Sequence, residues 1–123
     1  MARSNKQALV RAASRYQRTT RQLRTILEDV EAGLDSFAEL IGSGEMTVAE
    51  LLLLSEASGR RGDYARAMEQ FEESRRRLRV AVLRYGIEQG DSVADLARAL
   101  GISRQLAYRH LDSANADEQR PRR

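Results

Sequence analysis

The sequence contains no cysteine, one histidine, one proline and few aromatic residues. Its 123 residues are 5% aromatic, and tryptophan is absent. Without thiols the chain cannot form disulfides, cysteine-based zinc sites or thiol nucleophiles. One imidazole, that of His110, cannot build a metal site of several histidines. Because no cluster of His, Asp or Glu is spaced for catalysis, we expect neither an enzyme nor a cofactor or metal.

Long apolar runs are also missing. The longest is the run Leu51–Leu54, whereas a helix that spans a bilayer needs about 20 apolar residues. The first residues lack the apolar core of a secretory signal. We therefore expect no membrane association and a cytoplasmic location.

Proline is confined to Pro121, and Ala, Leu, Arg and Glu dominate the rest of the chain. Such a composition favours helix and predicts an all-α fold. The chain is long enough for one ordinary domain.

Positive and negative charges are segregated along the chain. Residues 1–27 carry seven bases and no acid, residues 28–59 carry eight acids and no base, and the remainder carries fourteen arginines and ten acids. Different parts are therefore expected to meet different partners. The acid-free first block is expected to contact an anionic surface, either nucleic acid or an acidic helix.

Apolar residues recur in alternating steps of four and three through the first third of the chain. This heptad pattern predicts one coiled-coil-like helix over residues 5–41, about 55 Å long. The stripe consists of Leu9, Ala13, Tyr16, Thr20, Leu23, Leu27, Val30, Leu34, Phe37 and Ile41.

Two further helices are predicted after the break at residues 42–44. Thr47 and Glu50 form a capping box that opens a short helix, and its leucine run is expected to be buried between other helices. Asp63 is expected to cap a second long helix, which ends near residues 86–90. Its stripe consists of Tyr64, Met68, Phe71, Arg75, Leu78, Val82 and Tyr85.

The first stripe is too long to be hidden in a chain of this size unless other long helices lie alongside it. Two antiparallel copies centred near Thr25 would place the basic block of one opposite the acidic block of the other. The sequence thus predicts a homodimer through Leu23, Leu27, Val30 and Leu34. The alternative is that the helix packs on the second long helix of its own chain.

Residues 92–111 carry a close succession of helix signals. Ser92 and Asp95 form a capping box, Gly101 supplies the positive φ of a sharp turn, and Ser103 caps a second helix. Two short helices joined by a glycine turn, the second with a basic outer face, predict a helix-turn-helix. The predicted fold is thus a long N-terminal helix, a short buried helix, a second long helix and this C-terminal pair.

This segment resembles bacterial helix-turn-helix proteins, in particular the resolvase/invertase-type module and tetracycline-repressor-like regulators. The resemblance covers about 20 residues and rests on Leu96-Ala97, Leu100-Gly101-Ile102-Ser103-Arg104 and Tyr108-Arg109-His110-Leu111. The sequence departs from those families at Ala107, where they usually have a larger aliphatic residue. Leu106 or the preceding helices are the candidates to fill that space.

The resemblance implies double-stranded DNA as the ligand. It places Ser103, Arg104 and Gln105 at base edges, where Arg recognises guanine and Gln adenine. It assigns Tyr108 and Arg109 to phosphate or a further base, and Ser92 to a backbone phosphate. The arginines of residues 75–79 and Arg84 would widen this footprint if they share its face.

We therefore predict a dimeric, sequence-specific DNA-binding protein, a transcriptional regulator of bacterial or phage type that associates with the nucleoid. Residues 1–90 would form a helical assembly region, 91–112 the DNA-binding module and 113–123 a disordered tail. One alternative is a nucleoid-associated, partition or recombination accessory protein. Another is a coiled-coil adaptor in which the acidic helix binds a basic partner protein.

Overall fold

The computed structural model describes residues 4–57 and 60–119. These residues form five helices and no strand, which confirms the all-α prediction and the long N-terminal helix. The helices are α1 (Asn5–Ser43), α2 (Val48–Ala57), α3 (Arg60–Glu88), α4 (Val93–Leu100) and α5 (Arg104–Gln119). Among the described residues, none of the helices is both long and apolar enough to cross a membrane.

Side chains satisfy the first free backbone groups of α1 and α2. The Gln7 backbone N–H donates to Ser4 Oγ at 3.1 Å, and the Ser4 N–H donates to Gln7 Oε1 at 3.4 Å. At α2 the Glu50 N–H donates to Thr47 Oγ1 at 3.2 Å, and the Thr47 N–H donates to Glu50 Oε1 at 3.3 Å. The second pair confirms the capping box predicted there.

The start of α3 corrects the prediction that Asp63 is an N-cap. The helix begins at Arg60, so Gly62 and Asp63 both lie in its first turn. One glycine costs a helix only about 1 kcal/mol relative to alanine, which the continuing hydrogen bonds offset. Asp63 instead forms an ion pair with Arg66 at 3.6 Å, one turn further along.

The chain divides into two compact units. One, here called the terminal unit, contains residues up to Tyr16 and from Glu73 onward, and the other, the central unit, contains Gln17–Glu72. This division differs from the predicted one at residue 90, because the second half of α3 belongs with α4 and α5. Helix α5 also continues to Gln119 and thus runs through seven residues of the predicted tail; residues 120–123 lie outside the described part.

The inward face of α1 is not identical to the predicted stripe. At every second position of the stripe, the inward residue is the one before the predicted residue. Leu9, Tyr16, Leu23 and Phe37 are buried or half-buried, as predicted, whereas Val30 in the same half of the stripe is 37% exposed. The stripe positions that alternate with these are exposed, however. In each case the preceding residue faces inward instead. The exposed positions are Ala13, Thr20, Leu27, Leu34 and Ile41, and the inward ones are Ala12, Thr19, Ile26, Gly33 and Leu40.

Helix α3 shows the same one-residue difference. The predicted stripe included Arg75, but Arg75 is exposed and Ser74 is fully buried in its place. Ala67 and Ala81, one heptad away on either side, are also buried. Small side chains at these inward positions allow helix backbones to approach closely. Because Ser74 faces inward in place of Arg75, no guanidinium has to be buried.

The central unit buries few large side chains. Within it, Ile26 of α1 and Ala67 of α3 line one shallow groove, so these helices lie side by side. The leucine run of α2 was predicted to be buried, but of its four leucines only Leu51 is; Leu52, Leu53 and Leu54 are 45%, 66% and 59% exposed. Four consecutive leucines point in different directions around a helix. When neighbouring helices pack on one side only, some of these leucines therefore face solvent.

Candidate nucleic-acid interface

Helices α4 and α5 are joined by a short turn whose hydrogen bonds the sequence anticipates. Ser92 is the N-cap of α4 and its side chain accepts from the Asp95 N–H at 3.1 Å. Gly101 ends α4 with φ 71°. The Ile102 N–H donates to the Ala97 carbonyl at 2.9 Å, and the Gly101 N–H to that of Arg98 at 3.2 Å. This pairing closes a helix around a left-handed glycine.

Ser103 starts α5 directly after this turn. Its Oγ accepts from the Leu106 N–H at 3.0 Å, and its carbonyl accepts from the Ala107 N–H at 3.0 Å. The hydroxyl oxygen therefore serves as the helix cap, and its own proton is still available to an acceptor. Three residues between α4 and α5 are enough to redirect the chain.

Two alanines and one leucine form the buried centre beneath α5. Leu83 of α3, Ala97 of α4 and Ala107 of α5 are 0%, 1% and 0% exposed and belong to one cluster. The space beside Ala107 is thus filled by a preceding helix, through Leu83. Half-buried aliphatic side chains surround this cluster: Val93, Leu96, Leu100, Ile102 and Leu111.

Gly86 sets how closely α3 approaches α4. It is buried within the last turns of α3, and a Cβ there would lie 2.7 Å from Leu96 Cδ2 and 2.8 Å from Leu96 Cδ1. The sequence pattern marks Gly86 only as a sign that the helix is ending. The helix in fact ends at Glu88, before Gly90 with φ 98°, which adopts the left-handed conformation.

The predicted DNA-contacting residues of α5 share one exposed face. Arg104, Gln105, Tyr108 and Arg109 are all exposed and fall within roughly 140° of the helix circumference. Ser103 and Ser92 are exposed at the helix starts. The opposite side of α5 carries Ala107, so these residues are presented outward by a helix that is anchored from behind.

The same face carries Asp112, which sequence reasoning did not single out. It is exposed one turn beyond Tyr108. The spacing of Arg104, Tyr108 and Asp112 by four residues was the signal that could have placed all three on one side of the helix. A negative charge thus bounds the basic part of this face.

The arginines of α3 are engaged with their own unit. Glu73 Oε1 accepts from Arg77 Nε at 2.8 Å and from Arg76 Nη2 at 3.1 Å. These hydrogen bonds lower the pKa of the Glu73 carboxyl. Arg84 Nη2 donates to Asn115 Oδ1 at 3.1 Å and so ties α3 to the extended part of α5. Of the arginines predicted to widen the footprint, Arg76, Arg77 and Arg84 therefore have partners within their own chain.

His110 lies on the inward side of α5. Its Nε2 is buried and has no hydrogen-bond partner. Burial lowers the pKa of this imidazole, and the positive charges of Arg79, Arg76 and Arg109 lower it further. In the described ranges no three His, Cys, Asp or Glu side chains are grouped as metal ligands would be. The environment of His110 is that of a neutral packing residue.

No protein-family model matches the sequence, and no curated protein or solved structure matches it either.

Proposed function

We propose that this protein binds double-stranded DNA sequence-specifically and acts as a transcriptional regulator, with α5 lying in the major groove. The observation that carries this proposal is the face of α5 formed by Arg104, Gln105, Tyr108 and Arg109. These side chains are exposed, whereas Ala107 on the other side is fully buried against α3 and α4. A helix held in this way presents a rigid set of donors, as base reading requires.

The chemistry of this face fits base edges near its start. An arginine donates two hydrogen bonds to guanine O6 and N7, and a glutamine pairs with adenine N6 and N7. Arg104 and Gln105 occupy the first turn of α5, which in helix-turn-helix complexes is the part that contacts bases. Asp112 repels phosphate two turns later, so the proposed contact is confined to the first turns of the helix.

Phosphate contacts would come from the two helix starts and from the second turn of α5. Ser92 caps α4, where backbone N–H groups and the helix dipole favour an anion. Tyr108 and Arg109 offer a hydroxyl and a guanidinium one turn after Arg104. One such helix reads only a few base pairs, so useful specificity calls for two copies on a two-fold axis.

The proposal is tested by selecting binding sites from randomised duplexes and measuring affinity for the selected site and for random duplex. The full chain is expected to enrich a sequence. Arg104→Ala should weaken binding to that sequence by about 1–3 kcal/mol and relax the preference at one position. The matched control is Arg66→Ala, which removes the same charge from the central unit and should leave the preference unchanged.

The other outcomes separate the alternatives. Equal affinity for selected and random duplexes would favour the nucleoid-associated or accessory role. Absence of duplex binding at low salt would favour the protein adaptor. If Arg104→Ala binds the selected sequence as tightly as the parent chain, α5 does not read bases through its first turn.

A further inference from the structure

The central unit exposes large apolar side chains that its own chain does not cover. Leu27, Leu34 and Ile41 of α1 are 45%, 61% and 38% exposed, and Leu52, Leu53 and Leu54 of α2 are exposed as well. The three on α1 recur every seven residues and so lie along one side of the helix. A row of exposed apolar side chains along one side of a helix is a candidate interaction surface.

Charge changes sign along the same stretch of α1. Arg18, Arg21 and Arg24 precede Leu27, and Glu28, Asp29, Glu31 and Asp35 follow it; all seven are exposed. A straight helix would bring like charges together if it paired in parallel with a copy of itself. Antiparallel pairing about a centre near residues 25–26 instead places Arg21 opposite Asp29 and Glu31, and Arg24 opposite Glu28.

We infer that this surface binds a second copy of the chain, with the α1 helices antiparallel and Leu27 close to the two-fold axis. The inference deepens the proposed function, on which it rests for the need for two DNA-reading helices. It revises the predicted contact set, because Leu23 is buried within its own chain, at 8% exposure. Leu27 and Val30 remain in the set near the axis, and Leu34 instead lies opposite residues 16–18 of the other copy.

A second copy fits this surface better than an unrelated basic protein does. The acidic half of α1 is complementary in charge to a basic helix, and the exposed arginines of the basic half of the same helix supply that charge. Pairing under two-fold symmetry satisfies both halves at once, whereas a separate basic partner would leave the arginines unmatched.

The first test is sedimentation of the full chain at micromolar concentration, without DNA. The parent chain is expected to be a dimer. Leu27→Asp should raise the dimer dissociation constant more than about tenfold, because it places a carboxylate of each copy in the apolar contact close to the two-fold axis. The matched control is Ile87→Asp in the terminal unit, where the isoleucine is 41% exposed; it should sediment like the parent chain.

A charge-reversal pair tests the antiparallel arrangement independently of the leucines. Arg21→Glu or Glu31→Arg alone should weaken the dimer, and the double variant should restore it. Residues 21 and 31 lie about 15 Å apart along one helix, so they cannot pair within a chain. Restoration therefore reports contact between two chains in antiparallel orientation.

A parent chain that sediments as a monomer overturns the inference, as does a dimer that Leu27→Asp leaves intact. A monomer that binds a synthetic Leu/Arg amphipathic helix would assign the surface to a basic partner and overturn it too. A double variant that is weaker than both single variants would contradict the antiparallel arrangement. Because the measurements are made without DNA, their failure is distinguishable from failure of DNA binding.

Discussion

Gly86→Ala tests whether α3 and α4 pack as closely as the structure shows. The added methyl group would lie 2.7 and 2.8 Å from the two terminal carbons of Leu96. Carbon atoms in contact are normally separated by about 3.5–4.0 Å. Leu96 must therefore leave its position against the Leu83–Ala97–Ala107 cluster, or α4 must move away from α3.

Two opposing terms set the size of the effect. Alanine is a better helix former than glycine by about 1 kcal/mol, and overpacking a well-filled core costs about 1–3 kcal/mol. The net change should be a loss of up to about 2 kcal/mol in the free energy of unfolding. Gly62→Ala is the control, because it lies in the same helix and its new Cβ would meet only the end of the Arg66 side chain, at 3.8 Å.

Urea denaturation followed by circular dichroism measures both variants. Gly62→Ala should unfold at the same or a higher urea concentration than the parent chain, and Gly86→Ala at a lower one. Leu96→Ala removes the carbons that the new methyl meets, so adding Gly86→Ala in that background should no longer destabilise. If Gly86→Ala stabilises the parent chain as much as Gly62→Ala does, the close approach of α3 to α4 is refuted.

Two further predictions concern the turn and the buried imidazole. Gly101 has φ 71°, so Gly101→Ala should lower the free energy of unfolding, measured by urea denaturation, by about 1–2 kcal/mol, and Gly101→Asn should lower it less. Gly42 has open space around it, so Gly42→Ala should not destabilise the protein. Equal effects of the two alanine variants would contradict the left-handed turn. The pKa of His110 in the folded protein lies below its ordinary value of 6.5. Its contribution to the free energy of unfolding is therefore fully present above pH 6.5. That contribution is lost as the pH falls from 6.5 toward the folded pKa, because the unfolded chain binds the proton first. The parent chain should therefore need less urea to unfold at lower pH, and His110→Gln should flatten this dependence; an unchanged slope would show that His110 is not buried neutral.

Local signals predicted much of the fold because they depend on neighbouring residues. The capping side chains of Thr47 and Ser92 bond to backbone groups three residues away, and Gly101 adopts its conformation within a single turn. Such hydrogen bonds are encoded within a few positions, so the sequence is sufficient to identify them. The exposed face of α5 follows from the same local spacing once the helix start at Arg104 is known.

Features that depend on distant residues could not be predicted in this way. Gly86 has the pattern of a helix terminator, and its close approach to Leu96 is not visible in the sequence. Arg84 is likewise one arginine among several until Asn115, 31 residues later, is placed beside it. The sequence pattern misplaces the start of α3 because a glycine next to an aspartate resembles a helix start. In the structure the helix extends to the N-terminal side of Gly62 and begins at Arg60, which the residues around Gly62 do not indicate.

The inward face of α1 explains why the heptad pattern assigns some of its leucines wrongly, and it limits how two copies can pair. The predicted and observed stripes share Leu9, Tyr16, Leu23 and Phe37. These shared positions fit two neighbouring faces of the helix equally well, one with Leu27 and Leu34 inward and one with Ile26 and Gly33 inward. Small residues such as Ala12, Thr19 and Gly33 favour the observed face, because they allow a neighbouring backbone to come close. Burying that face leaves Leu27, Leu34 and Ile41 outside. A dimer that used the whole predicted stripe would have to remove Leu23 from its own core, whereas a dimer centred near the exposed Leu27 forms without any such rearrangement.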